Sequence, residues 1–263
     1  MQVKIKNLIH FCFYKYLIKT NKLLKEQRKN PLSIPIIIIS FNQLFYLKQL
    51  INFLLERKFE NIIIIDNSST YPPLLKYFEE IKENVTIEFM SSNNGQNVFF
   101  NDKELMNKYG KGYYVLTDAD IVPNNSLPEN FMAILLNYLD KYFNKINKVG
   151  FALNIDDIPD HFPQKDKVIN WEEKFWKDLF EPNAYNAHLD TTFALYKPSY
   201  PSRFYNVEFY KAIRLAENFT SKHGGWYKDI HNLSDEDKYY MNSAKNFSSW
   251  NISNDGDLKS NGY

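Results

Sequence analysis

Two aspartates separated by one small residue follow a strand-forming run in the segment YYVLTDADIVP (113–123). Two like charges as close as Asp118 and Asp120 repel each other unless a positive group lies between them. Hard carboxylate oxygens suit Mg²⁺ or Mn²⁺, and proteins usually share such ions with substrate phosphates. The pair therefore predicts a site for a divalent cation and a diphosphate. The alternative is a solvated turn in which Asp120 caps nearby backbone amides.

The chain before this pair alternates between short apolar runs and amphipathic helices. Strands are predicted at PIIIIS (35–40), NIIIID (61–66), VTIEFM (85–90) and YYVLT (113–117). Helices are predicted between them at 41–57, 72–84 and 100–110. Strand–helix repeats at this spacing indicate an α/β fold with a parallel sheet and helices on both faces.

Beyond residue 123 the elements are less regular. The pattern predicts a helix over 126–145, a strand over 149–155, an aromatic helix over 171–180 and a strand over 187–198. Periodicity is weak from about residue 199, and no low-complexity linker separates the halves. We therefore expect a basic leader (1–30), two halves of one domain (31–123 and 124–250) and a flexible tail (251–263).

Three polar stretches come directly after predicted strands. They are Ser40 to Asn42, Asp66 to Ser69, and Asp118 to Asp120. In parallel sheets ligands bind beyond the carboxyl ends of the strands, so this convergence predicts a binding site. No GxGxxG follows the first strand and no P-loop is present, which disfavours a dinucleotide-binding fold and a P-loop enzyme.

The order and spacing of IIIISFNQ, a helix, IIIIDNSS, NNG and YYVLTDAD resemble the nucleotide-binding half of GT-A glycosyltransferases, especially family 2-like enzymes. The resemblance covers residues 34–123. It implies a Rossmann-like, mostly parallel sheet whose C-terminal half binds the acceptor. It also implies a nucleoside-diphosphate sugar donor, with a UDP-sugar favoured, and Mn²⁺ or Mg²⁺ as cofactor.

The same resemblance implies a set of donor-binding residues. Asp118 would face the ribose or the metal, and Asp120 would ligate the metal directly. The alternative for Asp66 is a helix N-cap role with one of the serines that follow it. The remaining positions implied to contact the nucleotide are Ser40, Asn42, Asp66, Asn94 and Gly95.

The catalytic base is expected in the second half. This chain departs from the family 2 pattern, because it has no clear acidic pair followed by a basic-x-x-basic-Trp motif. The segment HLDTTF offers Asp190, which could take the proton from an acceptor hydroxyl and would share a strand face with His188 and Thr192. Asp190 could instead bond neighbouring backbone or arginine side chains. Asp156 and Asp157 are rival bases.

The segment RLAENFTSKHGGWY (214–227) supplies a second group of candidates. His223 precedes two glycines that permit close backbone approach to a ligand, and several GT-A enzymes take a late metal ligand from a C-terminal histidine. A polar surface role is its alternative. Arg214 and Lys222 could offset the charge of a leaving diphosphate. Tryptophans are expected mostly in the core, although one could stack on a sugar: Trp171, Trp176, Trp226 and Trp250.

The charge of the chain is concentrated in its leader. Residues 1–30 carry eight Lys and Arg against Glu26, a net charge of +7, and the remainder has a net charge of −6. An acidic body argues against nucleic acid as a partner. The longest charge-free run of the leader, residues 7–14, is too short to span a bilayer, and no signal-peptide cleavage site follows. The leader is therefore interpreted either as a helix on an anionic membrane surface or as a helix packed on the body.

These observations predict a metal-dependent glycosyltransferase of hexosyltransferase type. The expected acceptor is a glycan or a lipid-linked molecule in surface polysaccharide or lipooligosaccharide synthesis. Cys12 is the single cysteine, which excludes a disulfide framework and fits the cytoplasm or the inner face of the cell membrane. One alternative is a nucleotidyltransferase, although SFNQLFY lacks the glycine-rich basic loop usual after its first strand. The other is a non-catalytic sugar-binding relative.

Overall fold

The computed structural model describes residues 2–202 and 207–244. The predicted tail (251–263) and Trp250 lie outside these residues. The described strands are β1 (Ile36–Ser40), β2 (Ile62–Asp66), β3 (Thr86–Phe89), β4 (Tyr114–Asp118), β5 (Ile121–Pro123), β6 (Lys148–Leu153), β7 (Leu179–Glu181), β8 (Ala184–His188), β9 (Ala194–Tyr196) and β10 (Lys211–His223). The described α-helices are α1 (Gln2–Thr20), α2 (Lys22–Lys29), α3 (Phe45–Glu56), α4 (Pro72–Ile81), α5 (Val98–Asn101), α6 (Lys103–Tyr109), α7 (Phe131–Lys141), α8 (Lys165–Glu172) and α9 (Asp235–Ser243).

All the described strands join one open sheet. Its order is β3-β2-β1-β4-β9-β6-β10-β8-β7, and β5 pairs with the end of β10. The first half is parallel, with β1 between β2 and β4. In the second half β9 runs antiparallel to β4 and β6, and β10 runs parallel to β6 but antiparallel to β8 and β5. The predicted α/β fold is confirmed.

The isoleucine-rich strands are buried on both faces, as their continuous apolar sequence predicts. Ile36 and Ile38 belong to one hydrophobic cluster, and Ile37 and Ile39 belong to another on the opposite face. The register sets Ser40 beside Asp66 and Ile39 beside Asp118. The polar residues at three strand ends therefore meet at one edge of the sheet.

Several predicted elements differ from those observed. The predicted aromatic helix over 171–180 is wrong in its second half: α8 ends at Glu172, a 3-10 turn covers Glu173–Trp176, and β7 begins at Leu179. Pro182 cannot continue a helix, because proline has no backbone N–H to donate. Asn183 adopts a φ of 62°, which suits a tight turn, and the chain forms a β7–β8 hairpin there.

The predicted single strand over 187–198 is two strands. Residues 189–193 cross from β8, which pairs with β10, to β9, which pairs with β4 and β6. Asp190 and Thr192 therefore lie on a connection and not on the face of one strand. The predicted helix over 100–110 is also divided, because the Asp102 side chain accepts from two backbone amides and caps α6.

The tail of weak periodicity contains the longest described strand, β10. Its pairing with β6 shifts register between Leu215 and Thr220, and Glu217 within this bulge has a φ of 55°. A bulge re-aims the strand that contains it. The last residues of β10 consequently pair with β5, directly beyond the aspartate pair.

The basic leader is part of the folded body. Tyr14 of α1 and Leu24 of α2 are fully buried. The side-chain Nε2 of Gln27 donates to the Tyr113 carbonyl, and its Oε1 accepts from the Tyr113 backbone amide, both at 2.9 Å. Arg28 forms an ion pair with Asp140. The leader therefore packs on the body through the side of α1 and α2 that carries these residues, which is one of its two predicted interpretations. None of the described helices is long and apolar enough to cross a bilayer.

Candidate functional site

A cavity of about 430 Å³ opens at the carboxyl ends of the central strands. Asp118 at the end of β4 and Asp120 between β4 and β5 line this cavity. The β8–β9 connection and the end of β10 also line it and bring Asp190 and His223 to the same space. Residues distant in sequence converge here because β9 and β10 fold back against the parallel half of the sheet.

Asp118 and Asp120 occupy different environments. Thr191 donates a hydrogen bond from its hydroxyl to Asp118 Oδ2, and the Asp118 amide donates to the Thr191 carbonyl. Burial and the nearby Asp120 carboxylate raise the pKa of Asp118 well above its usual value. Burial and the neighbouring charge thus both disfavour a negative charge on Asp118.

Asp120 is held by the two glycines that follow β10. The Gly224 amide donates to the Asp120 carbonyl at 2.7 Å, and the Gly225 amide donates to Asp120 Oδ2 at 3.2 Å. A Cβ on Gly224 would lie 2.3 Å from the Tyr46 ring. Glycine at 224 permits close approach to this ring, and the amides of the glycine pair position Asp120.

His223 stands beside Asp120. Its Nδ1 lies 3.7 Å from Asp120 Oδ2, is buried and has no hydrogen-bond partner among the described residues. The imidazole stacks on Trp226 with ring centroids 4.8 Å apart. The alternation of β10 directs Lys222 to the other side, so the bulge in this strand decides which of the two side chains enters the cavity.

The geometry fits a cation held by two protein ligands. Among the described residues, no three His, Cys, Asp or Glu side chains are spaced to hold a metal by themselves. Asp120 Oδ2 and His223 Nδ1 nevertheless present an unpaired nitrogen and a carboxylate oxygen to one point. Mg²⁺-type sites commonly take only one or two protein side chains and complete their coordination with substrate phosphates. The donor set is consistent with that arrangement.

The residues predicted after β1 and β2 lie beneath the cavity. Ser40 and Asn42 are fully buried. Asn42 Oδ1 accepts from the amides of Thr70 and Tyr71, and its Nδ2 donates to Ser243. Asn42 therefore joins three segments of the chain, a scaffold role that its sequence position after a strand did not indicate.

Asp66 is also almost entirely buried. Its Oδ2 accepts from the Ser69 amide within a turn, while its Oδ1 has no partner among the described residues. The helix N-cap alternative for Asp66 is wrong, because α4 begins at Pro72 and its N-cap is Tyr71. Burial raises the pKa of Asp66. Of the predicted NNG residues, Gly95 lines the cavity with a φ of 73° and Asn94 is exposed. Asn67 binds this loop through the Gly95 carbonyl and the Asn94 amide.

Asp190 is exposed on the cavity wall, next to the Thr191 that contacts Asp118. Its rivals Asp156 and Asp157 lie outside the cavity. Asp157 forms an ion pair with Lys222 at 3.0 Å and accepts a hydrogen bond from the Tyr227 hydroxyl. Lys222 is thus turned away from the predicted donor site, and neither Lys222 nor Asp157 lines the cavity.

Arg214 remains at the cavity, although it is already partnered. It forms a buried ion pair with Glu172 at 2.6 Å and donates from Nε to the His188 carbonyl at 2.7 Å. Its guanidinium also lies 4.1 Å from the centre of the Phe175 ring. Arg214 therefore joins β10 to β8 and to the 3-10 turn, and it fixes the chain two residues before Asp190.

The sequence only weakly indicates the aromatic wall of the cavity. Trp171 and Phe175 line it from the end of α8, and Tyr210 lines it beside His188, with ring centroids 6.0 Å apart. The helical spacing of Trp171 and Phe175 predicts packing in the core as well as it predicts a ligand-binding wall. Other lining residues without a sequence signal are Gln96, Lys174 and Tyr240, whereas Gln43, Asn67 and Asn93 lie within the polar motifs that follow the strands.

The sequence matches no protein-family model. A search of curated proteins likewise gave no match. Solved structures resemble the chain at identities of 12% to 16%, and this likeness concerns the fold alone.

The mannosyltransferase PcManGT from Pyrobaculum calidifontis, solved with GDP-Man and Mn²⁺, is 12% identical with a TM-score of 0.41, over 91% of this chain and 73% of that one. Residues 1–349 of S. aureus TarS are 12% identical with a TM-score of 0.43, over 84% of this chain and 75% of that one. A cytidylyltransferase from Leptospira borgpetersenii is 14% identical with a TM-score of 0.33, over 55% of this chain and 73% of that one. The match to a longer TarS structure spans 22% of that chain.

Proposed function

We propose that this chain is a glycosyltransferase that uses a nucleoside-diphosphate sugar and a divalent cation, Mn²⁺ or Mg²⁺. The observation that supports this most strongly is the position of Asp120 beside His223, in a cavity that also contains Asp118 and Asp190. An acidic pair, an unpartnered imidazole nitrogen and a candidate base around one space suit the transfer of a group from a diphosphate.

The residues around the cavity divide the work of binding the donor and accepting the proton. Asp120 and His223 hold the cation, which when bound neutralises the diphosphate of the donor. Asp118 orients the ribose or the cation, and the Gly95 loop flanks the nucleotide. An acceptor hydroxyl attacks the anomeric carbon while the bond from that carbon to the diphosphate oxygen breaks. The Asp190 carboxylate takes the proton that the acceptor loses.

The aromatic wall is the proposed acceptor side of the cavity. Trp171, Phe175 and Tyr210 can pack against the apolar face of a sugar ring, and His188 and Lys174 supply polar contacts beside them. A glycan or a lipid-linked glycan in surface polysaccharide or lipooligosaccharide synthesis is therefore the proposed acceptor class. The proposed location is the reducing cytoplasm, consistent with the single Cys12.

The experiment that tests this proposal measures the thermal stability of the full chain with UDP- and GDP-sugars, with and without Mn²⁺. We expect a rise in Tm that needs both the nucleotide-sugar and the cation, because a ligand that binds the native state stabilises it. We expect Asp120→Asn to abolish this rise and the exposed control Asp160→Asn to retain it.

Turnover is then tested by the release of nucleoside diphosphate in the presence of candidate acceptors. Release of pyrophosphate from a nucleoside triphosphate and a sugar phosphate would instead establish the nucleotidyltransferase alternative. Stabilisation by a free sugar without any dependence on nucleotide or cation would favour a sugar-binding protein.

A further inference from the structure

Helix α1 is apolar on two opposite sides. Its inner side carries His10 and Tyr14, both fully buried against the body. Its outer side carries large apolar residues at helical spacing, among them Ile5, Leu8, Ile9 and Tyr16. A helix on the surface of a globular domain is expected to be polar on its solvent side.

The exposure of the outer side is large. Ile5 is 50% exposed, Leu8 61%, Ile9 48% and Tyr16 64%. The exposed Cys12 lies in the same row, between Leu8 and Tyr16. We call Ile5, Leu8, Ile9, Cys12 and Tyr16 the outer stripe. Contiguous apolar surface of this kind indicates a docking surface.

The charge around the outer stripe favours one partner. Lys15 precedes Tyr16 of the stripe, Lys19 follows one turn later in α1, and the exposed Lys22, Lys25 and Lys29 continue along α2. Residues 1–25 contain no acidic residue. A second copy of the chain would bring two leaders of net charge +7 together, which charge repulsion opposes. An anionic lipid surface offers both hydrocarbon for the stripe and negative headgroups for the lysines.

We propose that the outer stripe of α1 docks this protein on an anionic membrane surface. The helix lies in the plane of the headgroups with the outer stripe toward the acyl chains, and Lys15 and Lys19 contact lipid phosphates. Its inner side keeps the contacts with Asp140 and Lys197 that attach it to the body. This surface is additional to the proposed transferase site and does not depend on it.

The dock and the cavity lie at opposite ends of β4. Tyr14 and Gln27 contact Tyr113, directly before β4 begins, whereas Asp118 is its last residue. Four residue steps along a strand cover about 13 Å. Substitutions in the outer stripe should therefore leave the cavity intact, so docking and catalysis can be measured separately.

The test is sedimentation of the full chain with vesicles of phosphatidylglycerol and phosphatidylcholine, compared with vesicles of phosphatidylcholine alone. We expect sedimentation with the anionic vesicles only, and a decrease as salt is raised. The triple variant Leu8→Gln, Ile9→Gln, Tyr16→Gln should bind about tenfold more weakly or worse. Lys15→Gln and Lys19→Gln should each lower binding about fivefold.

A matched control replaces exposed apolar residues outside the leader, Leu75→Gln and Leu179→Gln, and should bind vesicles as the unmodified chain does. Circular dichroism should show that all variants fold, since every substituted side chain is exposed or partly exposed. Failure of the unmodified chain to bind anionic vesicles, or equal binding by the triple variant, would overturn the proposal. So would a dimer that the triple variant abolishes. No donor or turnover enters the readout, so a failed transferase assay leaves this test unaffected.

Discussion

Asp118 and Asp120 are two residues apart, yet the structure gives them different partners. Thr191 contacts the first, and the Gly225 amide contacts the second. Burial and the nearby Asp120 carboxylate raise the pKa of Asp118. Two carboxylates this close repel each other, and we propose that a bound cation removes this repulsion in the complex.

Replacing Asp120 tests the ligand role. Asp120→Asn keeps the shape of the side chain but removes its charge, so we expect the affinity for a nucleotide-sugar with Mn²⁺ to fall about 30-fold or more, equivalent to about 2 kcal/mol. Affinity is measured by calorimetric titration. Asp160→Asn, at an exposed aspartate that does not line the cavity, is the control. Unchanged cation-dependent affinity in Asp120→Asn would contradict the assignment.

Asp190 is tested by separating binding from turnover. Asp190→Asn should lower kcat by about 10²- to 10⁴-fold, the usual contribution of a general base, while the Kd for the donor stays within about twofold. Donor affinity and initial rates are measured on the same preparation. Full turnover in the variant would mean that another group accepts the acceptor proton.

Gly224 is expected to be intolerant of any side chain. Gly224→Ala places a Cβ against the Tyr46 ring, so we expect a loss of about 1–3 kcal/mol in the free energy of unfolding and weaker donor binding through the displaced Asp120. Tyr46→Ala in the same chain removes the clash and should restore part of both losses, measured as a double-mutant cycle. Additive losses would show that the contact does not matter.

At the scale of elements, the leader behaves as an attached part of the body. Gln27→Ala would leave the buried amide and carbonyl of Tyr113 without their side-chain partners, so we expect a loss of about 2 kcal/mol or more in the free energy of unfolding. Denaturant titration measures it, with the exposed Lys29→Ala as control. A loss no greater than that of the control would mean that α2 is not held in place by Gln27. Deletion of residues 1–30 would remove the buried Tyr14 and Leu24 as well, so surface variants are the better probe of the outer stripe.

The elements that could be predicted from sequence are those that a local pattern defines. Four-isoleucine runs before polar residues correctly predict β1 and β2, since only a doubly buried strand satisfies both signals. The β8–β9 break and the bulge in β10 could not be predicted, because both arise from pairing with strands far away in the sequence.

The residues of the candidate site likewise fall into those that a local sequence pattern predicts and those that it does not. Asp118 and Asp120 lie at the cavity, as the position of polar residues at strand ends predicts, and Gly95, which the resemblance implied, also lines it. Lys222 does not line the cavity, because the direction of β10 after its bulge decides which side chains enter and is not encoded in adjacent residues; Asp157 pairs with Lys222 outside the cavity. Asn42 has the right position in the sequence, but its hydrogen bonds to Thr70, Tyr71 and Ser243 bury it beneath the cavity.

At the scale of the whole molecule, a buried lysine makes stability depend on pH. Lys148 is fully buried, and its Nζ donates to the Tyr196 hydroxyl at 2.9 Å. Burial lowers its pKa to about 7, although the nearby Asp190 opposes this and Arg214 reinforces it. Between pH 7 and the usual lysine pKa near 10.4, the unfolded chain binds a proton that the folded chain does not.

Stability should therefore rise with pH above 7, since the unfolded state holds more protons there. One such lysine contributes at most about 1.4 kcal/mol per pH unit. Chemical denaturation from pH 7 to pH 9 measures this slope, and Lys148→Met should reduce it; the buried Lys197, whose pKa burial also lowers to about 7, should keep part of it. An identical slope in Lys148→Met would contradict the effect of Lys148.

The most direct test of a cation site at Asp120 and His223 is the anomalous diffraction of Mn²⁺ in crystals of the full chain soaked with Mn²⁺ and a nucleoside diphosphate. The cation is expected within bonding distance of both Asp120 Oδ2 and His223 Nδ1, with the diphosphate completing its coordination. Manganese and nucleotide bound elsewhere, with this pair unliganded, would contradict the assignment of the cavity as a donor site.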